Sequence, residues 1–197
     1  MDQSDGRRGL ALLNMGLPGN TVTDGTMMLS LLRSHNLGAY GFGGGYEPGM
    51  SSESGFQIDK PLTFRYALVP HRGDWREAQV YRSGMEFNHP LLARKAARHA
   101  GRLPGRWGLL QISHPNIVLT AFKPGFENSL VLRCYEAGGM KASAVKLAFN
   151  APLAEAHEAN LLEDSARKLE VAGDSSLSLD FHPFEIKTLK VRLEPRP

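Results

Sequence analysis

Apolar and polar positions along this chain sort into short segments whose period suits strands rather than helices. Residues 10–13 (LALL) and 27–32 (MMLSLL) are apolar runs bounded by Asn, Gly and Pro, a pattern that predicts strands buried on both faces. Between them lie Gly16, Pro18, Gly19, Asn20 and the Asp24-Gly25 pair, residue types that preset a turn or tolerate positive φ. The stretch from Gly9 to Ser34 therefore predicts two buried strands joined by a projecting hairpin. Residues 62–69 alternate well enough for a further strand. Asp74 stands where a helix cap would, with Glu77 three residues later as in a capping box, and Ala78, Tyr81 and Met85 follow at helical spacing. One short helix is predicted over 75–84.

After Trp107 the pattern is plainly β. Segments 116–122, 129–135, 142–149, 177–181 and 186–193 have strand length. In the last, Leu189, Val191 and Leu193 alternate with Lys190, Arg192 and Glu194; Leu177, Leu179 and Phe181 alternate with Ser178 and Asp180. Each such strand has one buried and one wet face. Segment 153–162 also reads as a strand by its context, although its alanines permit a helix. Strands at this spacing with turn signals between them predict all-β modules, each a sandwich of antiparallel sheets.

Two segments read as connections. From Gly38 to Gly55 the chain carries seven glycines interleaved with Tyr40, Phe42 and Tyr46 and no Lys or Arg, the composition of a long loop. Its aromatics suit either anchorage onto a sandwich or stacking on sugar rings. GFGGG lacks the Gly-Lys-Ser/Thr of a phosphate-binding loop. Residues 94–106 hold Arg94, Lys95, Arg98, His99, Arg102 and Arg106 with no acid, and end in Leu103-Pro104-Gly105. This suits a surface link between modules, and the aromatics that single-strand nucleic-acid binding uses are missing. Two β modules are therefore expected over 1–100 and 101–197, in keeping with usual domain sizes.

Composition changes this picture little. A hydrophobic fraction of 42% supports a packed core. A formal charge of +3, from 23 basic against 20 acidic residues, is too small to argue for nucleic acid. The single cysteine, Cys134, sits in an alternating apolar run and reads as a buried small hydrophobe. The segment MDQSDGRR lacks the apolar core of a signal peptide, and no run of about 18 apolar residues offers a membrane span. The expectation is a cytoplasmic chain with no membrane segment.

Catalytic chemistry finds little support. The seven histidines, His35, His71, His89, His99, His114, His157 and His182, form no metal-ligand spacing. No G-x-S-x-G elbow is present, and Cys134 lacks an argued base. Glu155, Glu158, Glu163, Asp164 and Glu170 fall in a charged stretch and read as solvated faces rather than as a glycosidase carboxylate pair. His71, Asp74 and Trp75 read as a turn, a cap and an apolar lid.

Taken in order, GLALLN, LLRS, FRYALVPHRGDW, NHPLLA, LPGRWGLLQI, NIVLTAFKP, SLVLRCYEA, NLLED and PFEIKTLKV resemble the C-terminal β region of glycoside hydrolase family 38 α-mannosidases across nearly the whole chain. The resemblance implies part of a larger supersandwich followed by a C-terminal β-sandwich. It further implies that a zinc ion, an aspartate nucleophile and an acid/base belong to an N-terminal barrel without counterpart here, so the partners are that missing barrel and the α-mannoside of the full enzyme. No cofactor is expected in this chain, and zinc is expected in the full-length enzyme. In related enzymes a hairpin reaches toward the active-site cleft. The segment 14–24, with Asn14, Asn20 and Asp24 as hydrogen-bonding groups, is accordingly the candidate substrate-binding element, with a hairpin that merely closes the sheet as the alternative reading.

Relatives carry further β strands before this point, and sheet edges left without them would invite homo-oligomer formation. Three functions stay open on the sequence. The first is a non-catalytic β portion that supports and edges a mannosidase active site. The second is a free-standing carbohydrate-binding module using Tyr40, Phe42 and Tyr46. The third is an independent hydrolase.

Overall fold

In the computed structural model the described residues are 1–32, 38–40, 46–51, 61–101, 104–173 and 175–194. The chain divides into two compact units, Met1–Leu92 and Ala93–Pro197. No helix among the described residues is long and apolar enough to cross a membrane.

The first unit is built on strands β1 (Asp2–Ser4), β2 (Arg8–Met15), β3 (Asn20–Thr23), β4 (Thr26–Leu29), β5 (Gly38–Tyr40), β6 (Tyr46–Ser51) and β7 (Arg65–Arg72), followed by helix α1 (Val80–Asn88). Strand β2 is the centre of a three-stranded antiparallel sheet in the order β1-β2-β7. Its register runs from Arg8 opposite Arg72 to Met15 opposite Arg65. The run LALL is buried at Ala11, Leu12 and Leu13, which its continuous apolar character requires. Helix α1 lies against this strand: Val80, Tyr81, Gly84 and Met85 share a recess with Leu12 and Leu13, and Asn88 donates from Nδ2 to the Asn14 carbonyl at 2.8 Å.

Three expectations need correction here. The run 27–32 is not a strand buried on both faces. Strand β4 ends at Leu29 and pairs with β3 rather than β2; Met28 within it is 49% exposed, Leu31 and Leu32 beyond it are 42% and 47% exposed, and no third described strand pairs with this ribbon. The helix starts at Val80 rather than Trp75. Asp74 does cap, accepting from the Arg76 and Glu77 amides at 2.8 and 3.0 Å, but it caps a turn. Gln79 takes a left-handed conformation with φ of 50°, which stops a right-handed helix from propagating out of that turn. Finally, the glycine-rich stretch contains β5 and β6, which pair Gly38 with Ser51 and Tyr40 with Tyr46. Phe42 and the side chains of Tyr40 and Tyr46 lie outside the described residues.

The second unit contains β8 (Leu110–Ile112), β9 (Ile117–Pro124), β10 (Leu130–Glu136), β11 (Ala142–Phe149), β12 (Leu153–Ala159), β13 (Ser165–Lys168), β14 (Ser176–Phe181) and β15 (Ile186–Leu193). A five-stranded sheet in the order β13-β12-β15-β10-β9 faces a three-stranded sheet in the order β14-β11-β8, every pairing antiparallel. Side chains alternate across a strand, so Leu132, Cys134, Leu189 and Val191 of the larger sheet meet Val145, Leu147, Leu177, Leu179 and Phe181 of the smaller one in a single core cluster. This is the sandwich that the period-2 pattern predicts. Strand β12 settles the ambiguity of segment 153–162 in favour of a strand.

Candidate functional site

The three candidate residues do not converge. Asn14 is the penultimate residue of β2, where its side-chain oxygen accepts from the Leu17 amide at 3.4 Å while its carbonyl holds Asn88. Asn20 opens β3, is exposed, and donates to the Pro18 carbonyl at 3.0 Å. Asp24 stands at the tip of the β3–β4 hairpin with φ of 46°, followed by Gly25 at 76°. This is the positive-φ pair that a two-residue hairpin turn demands. By strand rise, Asp24 stands about 13 Å along β3 from Asn20. The hairpin is thus shorter than the sequence suggests, and Asp24 alone occupies its tip.

More organised polar chemistry lies elsewhere. Strand β1 is tied to β7 across the strand between them. His71 Nε2 meets Asp2 Oδ1 at 2.6 Å, with both side chains nearly covered. The imidazole passes over Gly9, where an added Cβ would overlap the ring and come within 2.9 Å of Ser4 Cβ. The hydrogen bond to Asp2 raises the His71 pKa above the ordinary imidazole value.

In the second unit Glu136 is fully buried. Its Oε1 accepts from Asn116 Nδ2 and the Gly138 amide, both at 2.7 Å. Its Oε2 accepts from the Gly139, Met140 and Phe184 amides at 2.7, 3.2 and 3.1 Å. Burial pushes the carboxyl pKa up, but the bonds from Phe184, Asn116, Gly138 and Gly139 together outweigh it and hold the group below the usual carboxylate range. The β10–β11 and β14–β15 connections both cross between the sheets, and this one carboxylate grips both.

Lys187 faces inward as well, with Glu158 opposite the same inward register. Its ammonium donates to Glu158 and Glu185 at 3.1 and 2.8 Å and lies 5.7 Å from the centre of the Phe181 ring. Burial lowers its pKa, yet the two carboxylates more than offset that and hold it above the ordinary lysine value. Glu158 also pairs with Arg167 at 2.5 Å. Likewise Glu163 pairs with Lys123, and Glu155 with Arg192. Of these acids only Glu158 lies on the inward side, opposite Leu189, and it corrects the solvated-face reading at that one position; Glu155 and Glu163 make surface pairs, and Asp164 and Glu170 are exposed.

Glu136 and Lys187 escaped the sequence reading, although each carries a signal. Glu136 continues the inward register of Leu132 and Cys134, and Lys187 that of Leu189 and Val191. Cys134 is buried, and burial pushes its thiol pKa to about 11, which suits packing and not nucleophilic attack. No three or more His, Cys, Asp or Glu side chains gather into a metal-holding group among the described residues. What these polar groups do is fix strands and crossovers.

Comparison with known proteins follows the same line. Residues 116–189 match the family described as "Glycosyl hydrolases family 38 C-terminal beta sandwich domain". The chain is 34% identical over 203 residues to "Alpha-mannosidase 2C1" of Homo sapiens, the alignment covering 100% of this chain and 18% of the relative. It is 25% identical to a "Putative mannosylglycerate hydrolase" of Halalkalibacterium halodurans, covering 94% of this chain and 20% of that protein. Among solved structures, an alpha-mannosidase from Enterococcus faecalis V583 superposes with a TM-score of 0.71 at 25% identity, covering 96% of this chain and 20% of that one. A second family 38 protein from Enterococcus faecalis gives 0.72 at 24% identity, which shows a shared fold.

Proposed function

On the premise that this chain corresponds to the C-terminal β region of a family 38 glycosyl hydrolase, we propose that it is the non-catalytic scaffold of an α-mannosidase, bracing and edging an active site formed by another part of the enzyme. One observation carries the reading. The match runs along the whole of this chain yet spans only 18% of the length of the human relative. The buried charges described above fit that role, since Glu136 and Lys187 spend their hydrogen bonds on crossovers and strands.

In this proposal the partner is the catalytic barrel, the substrate of the assembled enzyme is an α-mannoside, and a zinc ion supplies polarisation of the sugar from ligands on the barrel. The compartment is cytoplasmic, consistent with one buried, unpaired thiol. The β3–β4 hairpin edges the cleft, with Asp24 at its tip and Asn20 at its base as the sugar-facing groups and Asn14 positioning the chain that leads into it. Tyr66 and Leu68, 55% and 57% exposed on β7, suit contact with further polypeptide, and with a second copy when the barrel is absent.

The test is a truncation. The human relative without the segment that this chain matches should lose turnover of an aryl α-mannoside, and a chimera carrying this chain in its place should recover it. Full turnover by the truncated relative would overturn the scaffold role.

A further inference from the structure

The outer face of the larger sheet in the second unit carries a recess of about 110 Å³ whose chemistry the scaffold role does not use. Glu155 pairs with Arg192, and His157 with Lys190, on successive same-face positions of β12 and β15, so four polar side chains stand together on one side of the sheet. The β9–β10 turn closes the recess with Phe126 and Glu127.

Two features set this place apart from an ordinary wet surface. Phe126 is 84% exposed, yet the turn that presents it is closed and stiff. The Ser129 amide and hydroxyl both bond the Phe126 carbonyl, at 3.1 and 2.6 Å, and Glu127 and Asn128 take φ of 56° and 57°. The left-handed region is disfavoured for a residue with a Cβ, so the turn maintains this shape against local strain. The other feature is unspent hydrogen-bonding capacity. The half-buried His157 ring and Lys190 ammonium have no hydrogen-bond or ion-pair partner among the described residues, while Glu155 and Arg192 hold each other at 3.1 Å.

Within the lining itself Glu127 and Glu155 stand against Lys190 and Arg192, with Lys168 opposite His157 just outside it, so the recess proper carries no net formal charge. What fits is a neutral ligand with several hydroxyls and an apolar flank. We propose that this recess binds a neutral pyranoside. The C–H face of the sugar lies on the negative face of the Phe126 ring. Adjacent hydroxyls bond His157, Lys190 and the edges of the Glu155–Arg192 pair, so that a few fixed polar groups orient the sugar against the one aromatic wall. The inference does not depend on the mannosidase reading, since the recess lies wholly within the second unit.

The experiment is an amide NMR titration of this chain with methyl α-D-mannopyranoside and, separately, methyl α-D-glucopyranoside. Saturable shifts at Phe126, His157 and Lys190 are expected, with a dissociation constant on the order of millimolar for so small a contact. Phe126→Ala should weaken binding at least about tenfold, as expected when a stacking platform is removed, with an unchanged far-UV circular dichroism spectrum because the ring is exposed. Lys190→Gln tests the polar side without touching the turn and should weaken binding as well. Absence of saturable shifts with both glycosides, shifts confined to the β3–β4 hairpin, or binding unchanged in Phe126→Ala would each overturn the proposal.

Discussion

Glu136→Gln replaces one carboxylate oxygen by an amide that donates where it must accept. If the amide takes the Oε1 position, the bonds from Asn116 and Gly138 are lost; if it takes Oε2, those from Gly139, Met140 and Phe184 are lost. The least costly rotamer thus forfeits two bonds to a charged acceptor, each worth about 1.5–3 kcal/mol, and sets donor against donor. Relief of the carboxylate's own desolvation offsets part of this, leaving a net loss of about 2–4 kcal/mol, a large share of the roughly 5–15 kcal/mol that holds a domain together. With a urea dependence of roughly 1–3 kcal/mol per molar, the unfolding midpoint at pH 7 should fall by about 1–2 M.

The pH dependence provides an internal check. The folded pKa of Glu136 is depressed, so its contribution is present above the unfolded carboxylate value and is lost as pH falls through the folded one. The native chain should therefore lose more stability on acidification than Glu136→Gln, and the two curves should converge at low pH. A midpoint within 0.3 M, roughly the scatter of such measurements, of the native value at pH 7 would refute the account of the crossover clamp.

Other expectations are as follows. Gly9→Ala should push the His71 ring off Asp2, so that the His71 pKa, raised in the native chain, falls back toward 6.5 in a histidine NMR titration; an unmoved titration would contradict the staple. Because that pKa is raised, the pair's stabilising effect is present below the unfolded value and fades as pH rises through the folded one. Cys134, with its thiol near 11, should resist an aromatic disulfide reagent at pH 8 until urea unfolds the second unit, and prompt modification of the folded chain would show the site to be open. Phe181→Ala, at the centre of the sandwich with no exposed surface, should cost about 3–5 kcal/mol by denaturant unfolding; a loss under 1 kcal/mol, below any such cavity cost, would mean that the core collapses around it.

The sandwich was legible because its strands alternate without interruption. Leu177, Leu179 and Phe181, and Leu189 and Val191, announce the inward faces that the structure buries, with Leu193 partly buried against them. The first unit was less legible because its elements are decided by non-local pairing. Nothing in MMLSLL shows that β4 would face β3 alone, and nothing in the DWREA segment shows that Gln79 would turn left-handed and delay the helix. Short strands such as β1, β8 and β13 have too few residues to display a period, and their place comes from the neighbours they pair with. Glu136 and Lys187 were hidden for a different reason. A charge on an inward register looks like the end of a strand until its hydrogen-bond partners, drawn from turns 20 and 48 residues away along the chain for Asn116 and Phe184, are known. The β3–β4 turn was legible in its Asp-Gly pair, while the separation of Asn20 from Asp24 depends on strand length alone.

Turnover of an aryl α-mannoside by this purified chain, with zinc supplied, tests the central claim most directly. The scaffold account predicts a rate no different from buffer at any protein concentration. A saturable rate proportional to the amount of chain, and surviving further purification, would contradict it.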